Sequence, residues 1–221
     1  MTVGAGGVAL PGHLGVPEGA RGVVAFAHGS GSGRASPRNR MVAERLRREG
    51  LATLLFDLLT EDEALDRRRV FDIPLLAERL LGATGWLREE PATAELPLGY
   101  FGASTGAAAA LLAAGRLGEA VRAVVSRGGR PDLAREAIPE VRAPTLLVVG
   151  GDDRAVLELN REVLPLFRCP ARLEAIPGAT HLFEEPGALE RVADLAAAWF
   201  RRYVGPDQGR GRGPRAPDRG G

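Results

Sequence analysis

Apolar residues gather in short, closely spaced runs along the chain. Val23–Ala27, Leu51–Leu58, the run that starts at Leu98 after Pro97, Val121–Ser126, Thr145–Val149 and Ala171–Ile176 each have the length of a buried strand. Between them the spacing lengthens to helical intervals. Pro37–Glu49 places Met41, Val42 and Leu46 on one face and stops at Gly50, and Phe71–Leu87 does the same with Ile73, Leu75, Leu76, Leu80, Leu81 and Trp86. Further helices are expected over the Ala/Leu-rich stretch after Ser104, over roughly Val156–Leu166, and from about Pro186 to Tyr203. Thr60–Arg69 is strongly charged and reads as an exposed connection or short helix. At the N-terminus, Val8–Leu10 and His13–Val16 suggest edge strands of a hairpin around Pro11-Gly12. Strands alternating with helices imply a mostly parallel central sheet covered on both faces, an α/β architecture. Functional groups in such sheets lie beyond the carboxyl ends of the strands.

Four polar features fall there, each just after a predicted strand: His28-Gly29-Ser30-Gly31-Ser32-Gly33, Ser104, Asp152-Asp153 and His181. Gly102-Ala103-Ser104-Thr105-Gly106 has the G-x-S-x-G spacing of a nucleophile elbow. A strand that turns within two residues into a helix strains its central residue and crowds its neighbours, so glycine on either side removes the colliding Cβ atoms. The serine hydroxyl is left exposed beside a helix N-terminus, which favours developing negative charge. A serine is a poor nucleophile near neutral pH and needs a base. Of three histidines, His181 lies on the loop after the last strand, and Asp152 or Asp153 follows the strand before it. The order serine, acid, histidine is that of the α/β-hydrolase fold. The glycine-rich loop from His28 can converge backbone N–H groups on an anion.

Composition narrows the function classes. The 221-residue chain suits one domain over residues 1–204, followed by a Gly/Arg/Pro-rich tail at 205–221 that is too polar to be ordered. Its formal net charge of +1 points to no nucleic-acid or membrane partner. All 29 basic residues are arginine, which rules out a Walker-type phosphate loop, since that loop needs a lysine. Cys169 is the single cysteine, so neither a disulfide framework nor a thiolate metal site is expected. No leader or membrane span stands out, and a cytoplasmic location is the expectation.

The chain resembles a small α/β-hydrolase of the dienelactone hydrolase family from about Val23 to Tyr203. The likeness rests on His28-Gly29-Ser30-Gly31, on Gly102–Gly106, on Val149-Gly150-Gly151-Asp152-Asp153-Arg154-Ala155-Val156, and on Gly178-Ala179-Thr180-His181-Leu182-Phe183. It implies an α/β-hydrolase fold without a large lid domain. In that family an apolar residue stands three positions after the acid, as Val156 does after Asp153, so the resemblance favours Asp153 over Asp152. It further implies a catalytic set of Ser104, Asp153 and His181, with oxyanion donors at the backbone N–H groups of Ser30 and Thr105. One departure is that the founding dienelactone hydrolases use a cysteine nucleophile where this chain has Ser104, which points to serine esterase chemistry. The expected function is hydrolysis of a small ester, lactone or thioester through an acyl-enzyme, with no metal or organic cofactor, by a monomer or homodimer. Arg34 and Arg127 are candidates to meet an anionic group on the substrate. The alternative class is a non-catalytic scaffold of the same fold acting as a binding or partner module.

Overall fold

The computed structural model describes residues 1–205, and the predicted tail beyond Gly205 lies outside them. Eight strands form one sheet: β1 (Thr2–Ala5), β2 (Val8–Gly15), β3 (Val23–Ala27), β4 (Ala52–Phe56), β5 (Leu98–Ala103), β6 (Val121–Arg127), β7 (Thr145–Gly150) and β8 (Ala171–Ile176). Their spatial order is β1-β2-β4-β3-β5-β6-β7-β8. Contacts from β4 onward are parallel, and only the β1–β2 and β2–β4 pairs are antiparallel.

Strand alternation divides the core in two. In β3, Val23, Ala25 and Ala27 enter one apolar cluster, whereas Val24 and Phe26 enter the other. The first cluster is closed by α4 (Ile73–Glu89) and α5 (Thr105–Leu117), the second by α1 (Pro37–Arg48) and α7 (Ala188–Tyr203). Both faces are therefore covered, which is why the strands read as unbroken apolar runs. The remaining α-helices among the described residues are α2 (Glu61–Leu65), α3 (Arg67–Val70) and α6 (Arg154–Val163). Among the described residues no helix is long and apolar enough to cross a membrane.

The N-terminal hairpin differs from the expectation. Its turn is Gly6-Gly7, both with positive φ (57° and 80°), and Val8–Gly15 continues straight through Pro11 as one strand. Pro11 has no N–H to offer, but its carbonyl accepts the Asp57 N–H at 3.0 Å, so the ladder is joined there through an acceptor alone. Buried Arg79 on α4 then anchors the turn. Its Nη1 donates to the carbonyls of Ala5 and Gly6, and its Nη2 donates to Glu63 of α2 at 2.8 Å. Burial pushes the Glu63 carboxyl upward, yet the Thr60 N–H and Arg79 outweigh it and hold the group below its usual value.

Candidate active site

The strand-to-helix turn after β5 is as tight as its glycines suggest. β5 ends at Ala103, Ser104 takes φ 51° and ψ −121°, and α5 begins at Thr105. A non-glycine residue there costs about 1–3 kcal/mol, so its surroundings must hold it. They do so through the segment after β6: the Ser104 N–H donates to the Arg127 carbonyl, and the Ser104 carbonyl accepts from the Arg130 N–H, both at 3.1 Å. A Cβ on Gly106 would stand 2.2 Å from the Ala27 carbonyl oxygen, and one on Gly102 would stand 2.4 Å from Ala107 Cα. Both obstacles are backbone, so neither can swing aside. Gly106→Ala is expected to destabilise the fold by about 3 kcal/mol or more, read as a lower urea midpoint or loss of soluble protein. An unchanged midpoint would show that β3 and α5 can separate.

The acid and the base meet at the same sheet edge. Asp153 occupies the N-cap of α6, but its carboxylate makes no capping bond. It accepts the His181 Nδ1–H at 2.6 Å instead. Asp152, the other candidate, presents its backbone N–H to the Ala179 carbonyl at 2.9 Å and so ties the acid loop to the histidine loop. With Nδ1 protonated and held by Asp153, the His181 tautomer leaves Nε2 as a proton acceptor.

His181 lies against the segment that also holds Ser104. A Cβ on Gly128 would be 3.3 Å from the His181 carbonyl oxygen and 3.5 Å from its Cε1. Gly128 has φ 50°, a conformation and a clearance that only glycine supplies at low cost. Arg127–Arg130 thus holds the Ser104 backbone on one side and carries the imidazole on the other. Among the described residues the imidazole's hydrogen bonding is to Asp153 alone. Among the described residues, the only non-glycine residue besides Ser104 with positive φ is Phe183 (56°), two residues after His181 and buried. Both strained residues flank this one region, as expected where a site over-determines the backbone.

The predicted oxyanion donors adjoin each other. The Ser30 N–H donates to Thr105 Oγ1 at 3.1 Å, and the Thr105 N–H belongs to the first turn of α5, where no intrahelical carbonyl is available. A cleft of about 310 Å³ opens over them. Leu59, Ala64, Val70 and Leu76 line it together with Asp57, Thr60 and Glu61, so the charged 60–69 stretch forms part of its wall as the two short helices α2 and α3.

Sequence reasoning did not assign a role to His28, and it is structural. Its Nδ1–H donates to the Gly29 carbonyl at 3.0 Å while its Nε2 accepts the Leu58 N–H at 2.9 Å. Only the neutral ring can do both. Burial lowers its pKa, opposed by the Gly29 carbonyl and the charge of Asp57. Above the ordinary histidine value of about 6.5 both folded and unfolded states are neutral there. Below it the unfolded chain takes up the proton first, so stability falls until the lower folded value is reached. The urea midpoint is expected to drop more steeply between pH 7.5 and 5.5 in the wild type than in His28→Gln, which starts about 2 kcal/mol lower. Equal slopes would contradict this role. Arg34, a predicted substrate group, is already engaged: its backbone N–H reaches Asp57 Oδ1 at 2.7 Å and its guanidinium pairs with the same carboxylate. Arg127, the other, is buried with no side-chain partner among the described residues. No group of three or more His, Cys, Asp or Glu side chains capable of holding a metal occurs among the described residues.

Comparison with known proteins decides the family. The sequence signature of the dienelactone hydrolase family matches residues 10–203. The chain belongs to that family. A crystal structure of a dienelactone hydrolase from Anabaena variabilis is similar at 58% identity and TM-score 0.89, covering 92% of this chain and 96% of that one. Est1E from Butyrivibrio proteoclasticus shares the fold at TM-score 0.78 and 17% identity, over 91% of this chain and 97% of its own. Two curated Mycobacterium tuberculosis proteins, provisionally named phosphoribosyl transferases, are each 62% identical over 200 residues, 90% of this chain. The chain spans only 45% of their length.

Proposed function

We propose that this dienelactone hydrolase family member is a serine hydrolase of small carboxylic esters, lactones or thioesters. The observation that carries the reading is the Asp153–His181 hydrogen bond of 2.6 Å at the sheet edge where Ser104 is presented in a strained elbow. Bound substrate brings the Ser104 hydroxyl and Nε2 into a hydrogen bond, a contact often long in empty sites. His181 takes the hydroxyl proton as the oxygen attacks the acyl carbon, and Asp153 stabilises the imidazolium. The oxyanion is held by the N–H groups of Thr105 and Ser30, the latter turning from Thr105 Oγ1 to the stronger, charged acceptor. His181 then protonates the leaving group and later activates water to release the acid.

The acyl chain enters the apolar cleft, whose modest volume suits a small or flexible group. The reaction needs no group beyond the chain itself, and a cytoplasmic setting goes with this reading. The transferase name of the Mycobacterium tuberculosis relatives attaches to chains more than twice the matched length, and nothing in this mechanism requires phosphoribosyl transfer.

Short p-nitrophenyl esters provide the test. Rapid mixing is expected to release a burst of p-nitrophenol approaching one equivalent per chain, followed by steady turnover, the signature of an acyl-enzyme that forms faster than it is hydrolysed. Absence of turnover over acetate to hexanoate esters, with thermal stabilisation by nucleotides instead, would favour a binding scaffold.

A further inference from the structure

Thr105 opens α5 directly after the presented serine, and it is the only polar side chain of that helix before Arg116. The residue is buried, 3% exposed, yet it borders the cleft over the elbow. A hydroxyl can both accept and donate. Thr105 Oγ1 accepts the Ser30 N–H at 3.1 Å, but among the described residues it donates to no protein atom. Three of the other buried threonines do donate: Thr84 to the Leu80 carbonyl, Thr93 to that of Leu87 and Thr145 to that of Ala143, at 2.9, 2.7 and 2.9 Å. A buried donor without an acceptor is costly, so the Thr105 hydroxyl proton is held for a group that enters the cleft.

Close packing fixes that hydroxyl beside the reacting atoms. A Cβ on Gly29 would stand 2.9 Å from Ser104 Cβ and 3.1 Å from the Ala103 carbonyl oxygen, so the loop that carries Ser30 lies directly on the nucleophile. A Cβ on Gly106 would stand 2.4 Å from the His28 carbonyl oxygen, so the first turn of α5 is pressed against the root of the same loop. Thr105, between Ser104 and Gly106, is therefore held from both sides. An oxygen bound by the N–H groups of Ser30 and Thr105 comes to lie next to Oγ1, which hangs from the second of these residues and already touches the first.

We propose that the Thr105 hydroxyl is a third oxyanion donor, a catalytic group additional to the two backbone N–H groups. The proposal rests on the hydrolase reading above. As the substrate's carbonyl oxygen gains charge, the Ser30 N–H turns to it from Oγ1, and the hydroxyl proton turns the same way. A charged acceptor draws both donors more strongly than the neutral oxygen it replaces. No proton is transferred in this step. When the tetrahedral adduct collapses, the resting bond between Ser30 and Thr105 forms again. That resting bond keeps the loop in place while the cleft is empty, so the donors are ready before the charge develops.

The test is hydrolysis of p-nitrophenyl butyrate by Thr105→Val, Thr105→Ala and Thr105→Ser, beside inhibition by butyl trifluoromethyl ketone, which a reactive serine converts to an alkoxide seated among the oxyanion donors. In Thr105→Val and Thr105→Ala, kcat is expected to fall by about tenfold at least and towards about 10²-fold, the scale of one lost oxyanion donor, with KM within a few-fold of wild type. The inhibition constant for the ketone should rise by a similar factor, because the alkoxide loses the same hydrogen bond. Thr105→Ser should recover most of both losses. Packing alone would not sort the variants in this way: valine keeps the shape and loses the proton, whereas serine keeps the proton and loses the methyl group. Thr105→Ala keeps the test decisive if Thr105→Val fails to fold. A fall in kcat of less than about tenfold, an inhibition constant that stays put while kcat falls, or a loss as large in Thr105→Ser as in Thr105→Val would overturn the proposal. So would a gain in kcat/KM, which would show that the hydroxyl obstructs the oxyanion position. If the wild type neither hydrolyses the ester nor reacts with a fluorophosphonate, the hydrolase reading fails and the proposal falls with it.

Discussion

Ser104→Ala is expected to lower kcat for a short aryl ester by about 10⁴-fold or more, the scale on which serine hydrolases depend on their nucleophile. The folded chain should survive. Alanine adds no atom to the crowded elbow, and the Ser104 backbone keeps its bonds to Arg127 and Arg130. A β-carbon at φ 51° is strained with either side chain, so the urea midpoint should change little. Large loss of turnover with an unchanged midpoint would separate a chemical role from a structural one. Residual turnover within about tenfold of wild type would mean that another group attacks the ester.

Asp153→Asn should cost nearly as much, about 10³- to 10⁴-fold in kcat, through a different cause. The amide keeps the shape of the carboxylate, but it can present an N–H to His181 Nδ1 and so favour the tautomer with the proton on Nε2, where the lone pair is needed. It also removes the charge that stabilises the imidazolium. In the proposed mechanism Ser104, His181 and Asp153 act in one proton transfer, so the losses should not add: the double variant Ser104→Ala, Asp153→Asn is expected to match Ser104→Ala within a few-fold. Asp152→Asn, whose side chain does not meet the imidazole, should retain most of the activity. The reverse result for the two aspartates would show that the loop rearranges on binding.

Much of the architecture was legible because local pattern and global fold agree. The apolar runs of β3, β5, β6 and β7 are buried on both faces, so their continuity announces a parallel sheet. The glycines of the elbow are demanded by backbone contacts closer than any Cβ allows. Less legible were features that depend on pairing across the fold. Pro11 and Gly12 look like a turn until Gly6 and Gly7 are seen to supply it. The charges of the 60–69 stretch conceal a cleft wall because Ala64 and the neighbouring Val70 line the cleft while Leu65 remains 86% exposed. Arginine occurs 29 times, and nothing local tells Arg34, paired to Asp57 across 23 positions, from Arg127, buried without a partner. Partner choice at that distance is set by strand order, which residue spacing does not encode. His28 shows the same limit. Its two-sided neutral hydrogen bonding links β3 to the segment after β4, and only the folded sheet brings Leu58 to its ring.

A fluorophosphonate probe followed by peptide mass mapping tests the central claim most directly, because it reports which oxygen is made nucleophilic and by what. The account predicts one adduct per chain, on Ser104, formed rapidly in the wild type and slowed by orders of magnitude in His181→Ala. A wild-type chain left unlabelled, an adduct on another residue, or labelling at Ser104 that proceeds equally fast without the imidazole would contradict it.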